Sequence, residues 1–114
     1  MDIGFPTSKT AKIFNSESKL RAEYGPRMAG LIQQRLKELS AAENLEQMRS
    51  LPRAHCHELV ADRSGQFAVY LVHPYRLIFK PDHDPVPTGT GGGIDWSQVT
   101  KIEFVEIDDY HRGH

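Results

Sequence analysis

The chain has 114 residues, 39% of them hydrophobic and 25% charged, and carries a net charge of −1 with its six histidines neutral. That length suits one domain, 1–114, with a single core. Near-neutrality argues against a general polyanion binder, although charges of one sign can still gather on one face. The one cysteine, Cys56, excludes an internal disulfide and a paired-cysteine metal site. No apolar run reaches the length of a membrane span and the first residues lack a signal-peptide layout, so the expected compartment is the cytoplasm.

In chain order, the first half reads as helix and the second as strand. Residues 1–5 form a short extended lead-in, and residues 7–14 suit a short helix. "NSE" at 15–17 offers a fresh cap before "SKLRAEYG". Gly25 then suits a C-cap and Pro26 the first turn of a following helix. Met28, Leu31, Ile32, Leu36 and Leu39 recur at helical spacing, leaving Arg27, Gln33, Gln34 and Lys37 outside. "SAAE" at 40–43 predicts a capping box that starts a short helix through Leu45 and Met48, stopped by "SLP".

From His55 the period changes to two. "HCHELV" is a candidate strand and "ADRSGQ" a turn. In "FAVYLV", Phe67, Val69 and Leu71 face one way and Ala68, Tyr70 and Val72 the other. "YRLIFK" sets Tyr75, Leu77 and Phe79 against Arg76, Ile78 and Lys80. A Pro/Gly/Asp-rich loop follows over 81–96. "VTKIEFVEI" then supplies another strand, with Ile102 and Phe104 alternating against Glu103 and Val105. The economical assembly is an α+β domain, with N-terminal helices packed on one side of a small twisted antiparallel sheet.

Three groupings carry chemical potential. His55 and His57 lie two apart, so on a strand both imidazoles share a face while Cys56 points away as a small hydrophobe. They are either edge histidines or two members of a metal site, whose third ligand (His73, His111 or Asp109) has no diagnostic spacing. Arg76 and Lys80 lie on one strand face roughly 13 Å apart. They form either a solvated face or a phosphate-binding surface, with Arg63 as a third cation. The terminal "DDYH" combines Asp109, able to orient an imidazole, with Tyr110 and His111, a hydrogen-bonding or stacking group and a proton carrier. "GTGGG" at 89–93 lacks the lysine and the strand-to-helix context of a phosphate loop and reads as a flexible loop.

The run "LPRAHCHELVADRSGQFAVYLVHPYRLIFKP", followed by "DPVP" and "GGIDWSQVTKIEFVEIDDYH", resembles the HigB-like branch of the RelE/ParE toxin superfamily, the plasmid-maintenance killer proteins. "RLKELSAAENLEQM" extends the similarity into the helical half, from about Ile13 onward. The resemblance implies an α+β toxin of a type II toxin–antitoxin system, cleaving messenger RNA on the ribosome and held inactive by a cognate antitoxin. It implies catalytic positions at His57, Arg76, Asp109, Tyr110 and His111, with Arg63 and Lys80 as phosphate contacts, and requires neither metal nor cofactor. The alternative is a non-catalytic module of the same fold that occludes a partner or serves as the antitoxin's ligand.

Overall fold

A computed structural model describes residues 1–109. The first two helices begin where a side chain satisfies a free N–H group of the first turn. Thr7 accepts from the Thr10 amide at 3.1 Å and opens α1, Ser8–Phe14. Ser16 accepts from the Lys19 amide at 3.3 Å and opens α2, Glu17–Tyr24. Gly25, at φ 84°, ends α2 and precedes α3, Pro26–Ala41. Its amide donates to Arg21 and its carbonyl accepts from Ala29, both at 2.9 Å. A side chain there would be strained, which is why glycine joins the two helices.

The capping box expected at 40–43 is displaced. Ser40 and Ala41 continue α3, and Asn44 caps a 3₁₀ helix, Leu45–Ser50, by accepting from the Gln47 amide at 3.3 Å. The Gln47 side chain returns the favour, accepting from the Glu43 amide at 2.8 Å. The reciprocal logic of the box holds, but four residues later, because alanine and serine let the helix run on.

Five strands form one sheet in the order β1-β5-β4-β3-β2: β1 Asp2–Gly4, β2 His57–Glu58, β3 Phe67–Tyr70, β4 Tyr75–Pro81 and β5 Lys101–Asp109. β2, β3, β4 and β5 pair antiparallel, as expected. The lead-in is itself a strand and pairs parallel to β5, Ile3 opposite Ile102, so the sheet is mixed. Beside it, the Met1 amino group donates to the carbonyls of Leu39, Ser40 and Ala42 at the end of α3. The strand expected over 55–60 is cut to two residues. His55 at φ 46° and Ala61 at φ 59° occupy left-handed backbone that breaks a pleated ladder.

The helices cover one face of the sheet. Phe67, Val69, Leu77, Phe79, Ile102 and Phe104 project into the core with Leu20, Ile32, Leu39 and Leu45. Phe14 packs on Phe104 with ring centroids 4.4 Å apart, and Trp96 meets Phe67 edge-on at 5.0 Å. The opposite face carries a small cluster of Leu59, Ala68 and Ile78, with Val105 against it. In β5, Phe104 lies opposite Phe79 but Glu106 opposite Ile78, which leaves Val105 as a bulge. That extra residue reverses the alternation: Ile107 returns to the core, while Glu106 and Asp108 turn onto the outer face.

Candidate functional site on the outer face of the sheet

Directly opposed residues of an antiparallel pair share a face and stand one strand spacing apart. Two rows therefore cross the outer face. One runs His57, Ala68, Ile78, Glu106, and the other Tyr70, Arg76, Asp108. An aromatic end at β2 and β3 thus meets a charged end at β4 and β5.

At the charged end, Arg76 donates from Nε to Asp108 at 2.8 Å and from Nη2 to the second Asp108 oxygen at 3.4 Å. Arg63, from the 3₁₀ turn Ala61–Arg63, reaches across the same face. Its Nη2 lies 2.7 Å from Glu106 and 3.2 Å from Asp108, and its Nη1 donates to Gln66 at 2.9 Å. The hydrogen bond with Glu106, foremost, pushes the Arg63 guanidinium still higher than its ordinary value. Lys80 lies 3.7 Å from Glu103. Each of the three expected phosphate cations therefore already has a carboxylate partner, contributed in every case by β5.

At the aromatic end, His55 stacks on Tyr70 at 4.5 Å and 24°, and His57 meets Tyr70 edge-on at 5.9 Å. Tyr70 is 41% exposed. The Nδ1 of His57 lies 2.7 Å from the His55 carbonyl, an acceptor only, so Nδ1 holds the hydrogen and Nε2 carries the open lone pair of the neutral ring. This corner is held from beneath by Arg35, a buried cation on α3. Arg35 donates to the Tyr70 carbonyl at 2.7 Å, to the Arg53 carbonyl at 3.0 Å and to Glu38 at 3.0 Å. The Tyr70 amide in turn donates to the Ala54 carbonyl at 2.8 Å. β3 and the segment carrying the histidines are thereby clamped together.

The expected residues are thus partly gathered. Arg76 and Arg63 converge through Asp108, His57 stands by Tyr70 two strands from Arg76, and Lys80 lies farther along β4. Asp109 pairs with Tyr75, so strand alternation gives it the opposite phase from Asp108. Tyr110 and His111 lie outside the described residues. Asp108, Glu106, Tyr70 and Arg35 were not anticipated as site residues. The signals for them were the switch of apolar phase from Phe104 to Val105 and Ile107, and an arginine three residues beyond Ile32 on the apolar stripe. Among the described residues, no group of three His, Cys, Asp or Glu side chains is placed to hold a metal ion. Cys56 turns toward the core, and burial pushes its thiol up to about 12. A groove of about 720 Å³ lies elsewhere, between β1, α1 and α3. No helix of the described residues is long and apolar enough to cross a membrane.

No protein-family model and no curated protein matches the sequence. Among solved structures, the chain is similar to a YoeB/ParE toxin from Agrobacterium tumefaciens, at 11% identity and a TM-score of 0.51, covering 96% of this chain and 98% of that one. At that identity the likeness is one of architecture: helices on one face of a small sheet, shared over nearly the whole of both chains.

Proposed function

We propose that the chain is the toxin of a type II toxin–antitoxin pair and a metal-independent endoribonuclease that cuts messenger RNA on the ribosome. The observation that carries this reading is the outer-face placement of His57 beside Tyr70, with Arg76 in the next strand, on a fold like that of a known toxin. An unpaired base stacks on an aromatic ring, its phosphate is met by a guanidinium, and an imidazole nearby moves a proton. In such a reaction a base takes the ribose 2′-OH proton, the oxygen attacks the adjacent phosphorus, and an acid protonates the departing 5′-oxygen. Arg76 binds the phosphate and His57 works through Nε2, sharing the proton transfers with His111. Asp109 orients an imidazole or serves as base, and Tyr110 positions the phosphate or stacks. Arg63 and Lys80 hold flanking phosphates. The partners are a cognate antitoxin, the ribosome and messenger RNA, in the cytoplasm.

A second reading, a non-catalytic module that occludes a protein partner, draws support from the balance of charge on this face. Arg63, Arg76 and Lys80 face Glu103, Glu106 and Asp108, three against three, which leaves little net attraction for RNA. Induced expression without an antitoxin separates the two readings, for wild type, His57→Ala, Arg76→Ala and His111→Ala. The nuclease reading expects growth arrest with new 5′ ends at ribosome-occupied codons, both lost in variants that remain soluble and folded. Arrest without cuts, unaffected by the histidine changes, would establish the occluding module instead.

A further inference from the structure

We infer that Arg63 and Arg76 together form a single anion site, now filled by the carboxylate of Asp108, and that a phosphodiester must displace Asp108 to enter. The inference rests on the RNA reading above for the identity of its ligand. Two guanidinium groups from different elements converge on one acid: Arg76 from β4 at 2.8 Å and Arg63 from the Ala61–Arg63 turn at 3.2 Å. A carboxylate presents two coplanar oxygens to a guanidinium, as a phosphodiester presents its two non-bridging oxygens, so either can occupy the same fork. The Val105 bulge is what makes this possible. With unbroken alternation, Asp108 would share the phase of Phe104 and face the core.

An acid that touches an arginine is often there to aim it, and this structure offers a reason to assign Asp108 otherwise. Arg63 is held without it, by Gln66 at 2.9 Å and Glu106 at 2.7 Å. Arg76 lies in the cross-strand row beside Tyr70, on a strand hydrogen-bonded on both sides. Arg63 therefore keeps its place, still paired with Glu106, when Asp108 leaves, and the position between the two guanidinium groups loses the carboxylate that fills it. The side chains of Arg76 and Asp108 are 16% and 14% exposed, so water screens this exchange only in part. Asp108 then acts as a threshold: weak, single phosphates fail to displace it, whereas a strand that also stacks and docks elsewhere succeeds.

The test is binding of a labelled single-stranded RNA pentamer, made uncleavable by 2′-deoxy substitution, to wild type, Asp108→Asn, Arg76→Ala and Glu17→Gln. Glu17→Gln makes the same charge change on α2, where Glu17 pairs with Arg21. Asp108→Asn is expected to bind about 5- to 20-fold more tightly than wild type. Arg76→Ala should bind more weakly, and Glu17→Gln like wild type. Weaker binding by Asp108→Asn would overturn the inference and make Asp108 a positioning residue for Arg76. An equal gain in Glu17→Gln would also overturn it, reducing the effect to net charge. Should no form bind RNA, the RNA reading falls by itself. Pyrophosphate titration, followed at the arginine Nε–H resonances, then decides the inference: tighter binding by Asp108→Asn sustains it, and equal or weaker binding overturns it.

Discussion

The two faces of the sheet are made by the same strands yet behave as different materials. Toward the helices, Phe67, Phe79, Leu77, Ile102 and Phe104 fill a continuous apolar core. On the outer face, three apolar residues, Leu59, Ala68 and Ile78, are flanked by His57 and Tyr70 on one side and two arginines with two carboxylates on the other. Burial of apolar area needs only roughly the right shapes and is insensitive to the identity of any one neighbour. Charged and aromatic groups instead interact by direction and distance, so their arrangement depends on register to a single residue. The outer face is therefore the more informative about function and the more fragile to a shift in pairing.

The sharpest way to break the contrast is to put a charge on the core face, as in Phe79→Asp. A lone carboxylate there lies between Phe67 and Phe104 on the flanking strands with no partner, so far-ultraviolet circular dichroism should report loss of the native fold. Arg35→Leu comes next. It removes a buried cation from two carbonyls and Glu38, and urea unfolding should show a loss of roughly 3 kcal/mol. Ring-proton shifts of Tyr70 and His55 should move in the same variant, because the clamp beneath them is gone.

Cys56 sharpens the comparison from the core side, since its neighbours His55 and His57 face outward. Its thiol is pushed up to about 12 in the folded chain from an ordinary 9.0. Below pH 9 both states hold the proton and stability is unaffected. Above it the unfolded chain ionises first, so stability falls as pH rises through that window, by about 2 kcal/mol at roughly pH 10.5. Cys56→Ala should abolish that slope in urea titrations repeated across pH. Lys80→Ala gives the smallest effect. Its pairing with Glu103 spans 3.7 Å between an exposed and a half-buried group, and stability should change by less than about 0.5 kcal/mol.

What the sequence disclosed follows from the range of the physics involved. The alternations "FAVYLV" and "YRLIFK" are local: they set Phe67 with Val69 and Leu77 with Phe79 on one strand face, and the structure buries all four in the core. Gly25 and Pro26 mark a helix junction through backbone preferences that need no partner. The parallel pairing of residues 2–4 with β5 has no local mark. Asp109 was named from the terminal "DDYH", and the side chain set against Arg76 is that of its neighbour, Asp108. Choosing between two adjacent aspartates requires the register, which two strands and a bulge decide together. Arg35 reads as a solvent residue unless its apolar stripe neighbours are counted, because burial of a cation depends on carbonyls 18 and 35 positions away.

The parallel pairing of β1 with β5 has a kinetic consequence. Asp2 pairs with Lys101, and β5 also supplies the whole of one edge of β4, so the sheet's second strand in space is its last in time. Contacts of such long sequence separation form late and slow the search for the native state. A nascent chain leaving the ribosome can assemble α1 to α3 and the β2–β4 meander, but β1 has no strand to pair with, and Arg63 and Arg76 lack Glu106 and Asp108, until β5 emerges. The emergence of β5 thus completes the sheet and loads both arginines in one step.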